Sequence, residues 1–532
     1  MSIRWAYLKR VLAGAIFGLY MAHLLYFLNP QIEITLGRLA LVTTVYGFTC
    51  GVIFGSLLWG LRALRVRTIG KPDAFQTHGF GFVVLAAFAS SFIYWLHLVV
   101  VRIYLPIGAV RILSKATTVI TATAFVLLAL WVLERNADRR TSRNIFVAGV
   151  ILIFISAIFL YQRRESYRTE TRDVVVASIG EVAGHRPVVL VAIRNLPHDW
   201  IVTMRGEGLL PFFDAESESS YFTRLEPFPS THWLSLWASL ATGKLPYRHG
   251  MTGRSSYHTP LNRDQPFLLL PYGVGFRTWG LIPPVERIAS RLPTGSSLPV
   301  WSLFDRLQLS TSVIVWPSVE TPALGSVDLG DLPGRFLTDD PAQPEILTAL
   351  SRDVAALRRI DGRADITVVG IEGFSAAQRA LHVYLNELAP RESRKGDGVR
   401  AYMQQLDRAL AAVRAELPDH MIVICSPSAI VPPELPSTAW ALAQNRFGRD
   451  PGADDGFLLV IGPGTAHREN PEPAFVVDVV PTILFGAGLP IGRDMDGRIM
   501  TEAFTEETLR RSTLSAIQTY EAETLLVRRS AP

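Results

Sequence analysis

Five long apolar stretches crowd into the first third of the chain, at about 11–28, 39–61, 80–101, 117–133 and 144–161. Each reaches the roughly 17–25 residues that a helix needs to cross a bilayer core. A cleaved signal peptide would leave one such segment, so five predict an all-α transmembrane helical domain over 1–162. Arg4, Lys9 and Arg10 precede the first stretch, Arg62, Arg65, Arg67 and Lys71 follow the second, and Arg135, Arg139, Arg140 and Arg143 follow the fourth. The alternate connections carry fewer basic residues: Arg38, then Arg102, Arg111 and Lys115, then Arg163, Arg164 and Arg168. The excess predicts a cytoplasmic N-terminus. An odd number of spans then puts everything after Tyr161 outside the cytoplasm. The expectation is a multi-pass protein of the cell membrane, partnered by the lipid bilayer, with a periplasmic or cell-surface C-terminal domain.

The net charge of +5 is modest, and its basic residues lie mainly beside the spans, so the sequence carries no nucleic-acid site. Cys50 falls within a span and Cys425 within a buried strand, which argues against a disulfide between them. The spans contain no charged pair of the kind that marks a transport path.

Residues 163–186 are polar and charged and read as a linker or the first helix leaving the membrane. From 187 to 532 the pattern changes. PVVLVAI at 187–193 is a continuous β-branched run suited to a strand buried on both faces, and similar runs recur at 312–316, 366–371, 421–425 and 457–461. Helical patterns lie between them, clearest at 353–359 and 399–417. This alternation predicts an α/β doubly wound, mainly parallel sheet. Ligands of such sheets bind beyond the carboxyl ends of the strands, so the residues just after each strand decide function.

One run, STHWLSLWASLATGKLPYRHGM, ends in a loop shaped by Thr242, Gly243, Pro246, His249 and Gly250. It resembles the region after the nucleophile in the alkaline phosphatase superfamily, particularly the type I phosphodiesterase and nucleotide pyrophosphatase branch. AYMQQLDRALAAV around Asp407, HMIVICS before Pro427, and FVVDVVPTILFGAGLPIGRDMDGRIM at 475–500 agree with it in the same order. The resemblance implies an alkaline phosphatase-like fold with two metal ions, usually zinc, and a Thr or Ser nucleophile. Two cations would neutralise a phosphate ester, one activating the hydroxyl and the other stabilising the leaving oxygen.

The residues that the resemblance assigns to this site are mostly replaced. Where the first metal-binding Asp is expected, the chain has Arg194 and Asn195. A fixed positive charge there repels a cation. His198 and Asp199 follow, at the expected start of the next helix. Where an Asp-x-x-x-His pair is expected, GFSAAQRALHVYL supplies Gln378 and His382, with Glu372 the nearby carboxylate. Where Ser-Asp-His-Gly is expected, the chain reads Ser426-Pro427-Ser428-Ala429. His467 is comparable with a later family histidine. Thr231 is the best positional candidate for the nucleophile, with Ser230 and Ser235 competing.

His249 reads as a loop-packing residue, Asp478 as a cap for the helix begun by Pro481, and Asp496-Gly497 as a turn. Arg194 needs a partner if buried, with Glu372 the first choice and an anionic headgroup or phosphate, gripped by two parallel hydrogen bonds, the alternative. Two functions compete. The first is a catalytically inactive superfamily member, without a metal cofactor, that binds or scaffolds envelope proteins, a lipid headgroup or a glycan. The second is an active phosphodiesterase or phosphotransferase on a membrane lipid or envelope glycan, using zinc or another divalent cation held in part by His382 and His467.

Overall fold

In the computed structural model of the protein, the described residues are 79–100, 102–135, 137–165, 176–179, 185–228, 232–251, 255–258, 286–292, 297–317, 319–321, 343–381, 394–428, 455–512 and 514–527, with isolated positions elsewhere. The chain divides into two compact units, 1–171 with 255–289, and 172–254 with 290–532.

The first unit contains α1 (Gly79–Val100), α2 (Ile107–Arg135) and α3 (Arg139–Glu165), packed in sequence order. Gly108–Arg135 and Arg140–Gln162 are long and apolar enough to cross a membrane. The expected spans at 80–101, 117–133 and 144–161 therefore fall on helices, the last two of which begin earlier than the apolar pattern does. Hydroxyls join these helices: Ser91 meets Thr121 at 2.8 Å and Thr123 meets Ser156 at 2.9 Å. Such bonds add to the packing of apolar helices on one another. The expected spans at 11–28 and 39–61, and Cys50, lie outside the described residues apart from isolated positions.

In chain order the strands are β1 (Val176–Ile179), β2 (Val188–Ile193), β3 (Tyr221–Glu226), β4 (Ser255–His258), β5 (Glu286–Ala289), β6 (Thr311–Val315), β7 (Ile366–Ile371), β8 (Met421–Ser426), β9 (Gly456–Ile461), β10 (Ala474–Phe475), β11 (Ile491–Gly492), β12 (Ala516–Ile517) and β13 (Thr524–Val527). β4 and β5 pair with each other in the first unit. The second unit is built on a seven-stranded sheet of order β10-β3-β9-β8-β2-β7-β6. β9 runs antiparallel to both neighbours and the other pairs are parallel, so the sheet is mixed.

The five apolar runs of the sequence are β2, β6, β7, β8 and β9. β2, β7, β8 and β9 are buried at every position, as a sheet covered on both faces requires. Alternation sorts their side chains into two cores. Val188, Leu190 and Ala192 face a core shared with α6 (Trp233–Thr242), α8 (Val300–Arg306) and α12 (Val479–Ala487). Val189, Val191 and Ile193 face a core shared with α4 (His198–Gly206), α5 (Pro211–Ser219), α9 (Gln343–Leu357), α10 (Gly373–Leu381) and α11 (Arg394–Glu416). The one remaining short helix of that stretch, α7 (Pro246–His249), closes the loop after α6.

One expectation needs correction. The helical pattern at 353–359 is only the end of α9, which starts ten residues sooner, at Gln343. Within the expected linker 163–186, α3 runs to Glu165 and β1 pairs in parallel with β13, Val176 opposite Thr524. Both strands belong to the second unit, and β13 is the last strand among the described residues.

Candidate functional site

Parallel register decides which residues meet at the sheet edge. Ile193 is paired with Ile371, so the next residues, Arg194 and Glu372, emerge side by side. The Arg194 N–H also donates to the Ile371 carbonyl at 2.8 Å. The Arg194 side chain is 9% exposed, and its guanidinium lies 3.5 Å from the centre of the Trp233 ring, at the first position of α6. This is a close cation–π contact for a largely desolvated cation. The Glu372 carboxylate is 3.9 Å from Nη1 and 44% exposed, a loose ion pair on the solvent side.

Asn195 adopts the left-handed conformation, φ 63°, which asparagine tolerates better than most residues. The turn points its amide at α10, where Nδ2 donates to Ser375 Oγ at 3.0 Å. Ser426, at the end of β8, accepts the Leu196 N–H at 3.0 Å and donates to the Ser428 carbonyl at 2.9 Å. Its hydroxyl braces the turn after β2. His198 and Asp199 do start α4. The His198 ring stacks on Phe222, with Nδ1 3.1 Å from Asp199, and burial lowers its pKa. Asp199 in turn pairs with Arg224 at 3.2 Å.

Of the other candidates, His467 and Ser235 are among the described residues. β9 runs opposite to β8, so the loop that follows it leaves from the far edge of the sheet. There His467 donates Nδ1–H to the Ser217 carbonyl at 3.0 Å. Ser235 is fully buried in the first turn of α6. Thr231, Ser230 and His382 lie outside the described residues, and Gln378 lies on α10.

The divalent cations implied by the resemblance are not matched by these donors. A guanidinium stands at the end of β2, and Ser426-Pro427-Ser428 at the end of β8 offers no carboxylate or imidazole. Among the described residues, no group of three or more His, Cys, Asp or Glu side chains is placed to hold an ion. No metal-dependent step is derived from this site.

The family-like motifs lock onto one another. Lys244, in the loop after α6, contacts Asp494 at 2.5 Å and Glu521 at 2.8 Å. Asp496 accepts the Leu245 N–H at 2.8 Å and pairs with Arg248 at 2.9 Å. His249 is fully buried between Ser239 Oγ and the Met251 N–H. Asp478 does not cap α12 with its side chain. Its carboxylate accepts the N–H groups of Phe475 and Arg498, at 2.9 and 2.8 Å, and so ties the helix entrance to the turn after Asp496. Asp407 on α11 accepts the N–H groups of Phe212 and Phe213, both at 3.1 Å, and so caps α5. Trp233 lies within the run STHWLSLWASLATGKLPYRHGM, but nothing in its spacing marks it as the platform for Arg194. The carboxyls of Asp494 and Glu521 became visible as a pair only when Lys244 was seen between them.

No family model matches the chain, and no curated protein matches it. Solved structures are similar at low identity. A 2-O GAG sulfatase is 11% identical, with 60% of this chain and 74% of that chain covered and a TM-score of 0.39. Murine ectonucleotide pyrophosphatase/phosphodiesterase 5 is 9% identical, covering 60% and 100%, with a TM-score of 0.38. A phosphonate monoester hydrolase from Silicibacter pomeroyi is 13% identical, covering 59% and 76%, with a TM-score of 0.35. All three are members of the alkaline phosphatase superfamily, which the motifs of this chain resemble. At these scores the likenesses carry no weight in assigning an activity.

Proposed function

We propose that this chain is a membrane-embedded member of the alkaline phosphatase superfamily that has lost its hydrolytic chemistry and serves as a binding or scaffolding component of the cell envelope. The observation that carries the reading is Arg194. It occupies the sequence position of a metal-binding Asp, is buried against Trp233, and has Glu372 beside it. Protein charge stands where the family would use metal charge.

Membrane embedding is supported by the two long apolar helices, whose most apolar windows are only 22% and 6% buried. In this reading residues 1–162 form a multi-pass domain, 163–186 lead out of it, and 187–532 form an extracytoplasmic binding domain. Its partners are the bilayer and an envelope protein, headgroup or glycan. Arg194, Asn195 and Glu372 form the binding surface.

The test is metal content and metal response of the purified full chain. A ligand that binds the folded state raises stability by RT ln(1 + [L]/Kd), so tight binding is visible in a melt. The expected result is no stoichiometric zinc or manganese, no thermal shift on adding either, and no hydrolysis of bis-p-nitrophenyl phosphate. Two metal ions per chain, lost in His382→Ala or His467→Ala, would establish the active phosphodiesterase or phosphotransferase instead. Topology is tested separately by a reporter fused after Pro532. Cytoplasmic reporter activity would sink the extracytoplasmic placement without touching the metal result.

A further inference from the structure

Three helices meet at one buried carboxyl just past the end of β7. Asp353 on α9 accepts the Gly373 N–H through Oδ1 at 3.2 Å and the Tyr402 hydroxyl through Oδ2 at 2.5 Å. Tyr402, on α11, is fully buried and Asp353 is nearly so. Gly373 opens α10 and directly follows Glu372. A Cβ at Gly373 would collide with the Tyr402 hydroxyl, with Asp353 and with the Ala349 carbonyl, so glycine is what lets α10 begin this close to α9 and α11. The carboxyl therefore fixes the peptide from which Glu372 projects.

We propose that Asp353 is the positioning residue that holds Glu372 against Arg194, and that exchange of one proton at its carboxyl switches this ion pair between a closed and an open arrangement. The groups that face the carboxyl are Tyr402 from α11, Glu372 from the end of β7 and Arg352 from its own helix. Burial pushes Asp353 up to about 7, outweighing the hydrogen bonds from Tyr402 and Gly373, and the Glu372 charge acts in the same direction. Burial also pushes the Tyr402 phenol well upward, so it stays protonated. With Asp353 neutral, Glu372 remains beside Arg194. When Asp353 gives its proton to water, an anion is left buried next to the Glu372 carboxylate, and like charges in a low-dielectric site repel strongly. Glu372 is the partner able to move, because its side chain is 44% exposed while that of Arg194 is 9% exposed. The pair opens as pH rises, and Arg194 stays on Trp233. The device works whether or not the domain cleaves an ester.

Trp233 supplies the readout. The full chain, labelled with fluorotryptophan and held in lipid nanodiscs, is titrated from about pH 5 to about pH 9 by fluorine NMR, with the Trp233 resonance assigned from Trp233→Phe. The expected result is a Trp233 resonance that titrates near neutrality in the natural protein and is flat in Asp353→Asn and in Glu372→Gln. In Tyr402→Phe the midpoint should move upward, because a hydrogen bond favouring the anion is gone. A Trp233 resonance that is flat in the natural protein, or that titrates unchanged in Asp353→Asn, overturns the proposal. If Asp353→Asn does not fold, an unmoved midpoint in Tyr402→Phe overturns it equally.

Discussion

The ammonium of Lys244 lies 2.8 Å from Glu521 and touches Asp494 on its other side, so one cation joins the loop after α6 to the turn at Asp494 and to the C-terminal segment. The Lys244 side chain is only 5% exposed. Lys244→Met would leave two carboxylates facing each other without a cation, and breaking a buried pair in this way costs about 3–5 kcal/mol. The expected outcome is a denaturant midpoint well below that of the natural protein, partly restored when Asp494→Asn is added. No restoration by the second change would mean that packing of the lysine stem, not its charge, holds the motifs together.

His249 makes the domain sensitive to acid. Full burial, with the charge of Lys244 adding, lowers its pKa from 6.5 to about 3. Its Nδ1 accepts the Met251 N–H, so the neutral ring carries its proton on Nε2, toward Ser239. Between these two values the unfolded chain binds a proton that the folded chain refuses, so stability must fall as pH drops from 6.5 toward 3. His249→Gln removes that proton from both states. Urea unfolding at about pH 7 and about pH 4.5 should therefore show a smaller acid loss in the variant than in the natural protein. An equal loss in both would remove His249 from the account of acid sensitivity.

Asp407 separates a cap from a catalytic carboxylate. It occurs in a stretch that resembles the family, yet its two oxygens are spent on the N–H groups of Phe212 and Phe213 at the start of α5. Burial raises its pKa despite those two bonds. Loss of a helix N-cap typically costs about 0.5–2 kcal/mol. Asp407→Ala should lie at or above the top of that range because the site is buried, and Asp407→Asn should lose less, since its amide oxygen still accepts one bond. Equal losses in Asn and Ala would argue against a capping role.

Much of the fold was legible because its strands are continuous apolar runs. VVLVAI, ITVVGI, MIVICS and GFLLVI need no partner information to be read as buried strands. β3 was missed because YFTRLE alternates buried and exposed positions, with Arg224 and Glu226 in it, and reads as a surface segment in isolation. β1 was hidden in a charged stretch and takes its partner from the other end of the domain. At the site, the place of Arg194 after β2 was readable from the strand that precedes it, and Glu372 from the strand that precedes it. Their loose spacing and the Trp233 platform were not, since both depend on how α6 crosses the sheet. Asp353 was invisible for the same reason: a lone carboxylate on a helix reads as a solvated face until Tyr402 and Gly373 close over it.

Arg194 gives the last prediction, which weighs its two partners against each other. Ion pairs with an exposed member contribute about 0.2–1 kcal/mol, because solvent screens the charge. A desolvated cation over an indole face contributes about 2 kcal/mol or more. With Glu372 at 3.9 Å and half-exposed, and Trp233 at 3.5 Å from the guanidinium, the aromatic contact should dominate. A double-mutant cycle isolates each contribution: Arg194→Met combined with Trp233→Leu, and Arg194→Met combined with Glu372→Gln, all measured by denaturant unfolding below the Asp353 transition. The expected coupling to Trp233 exceeds the coupling to Glu372 by about 1 kcal/mol. A larger coupling to Glu372 would make the ion pair the main anchor of Arg194, and Glu372 would then be too tightly held to serve as the moving partner.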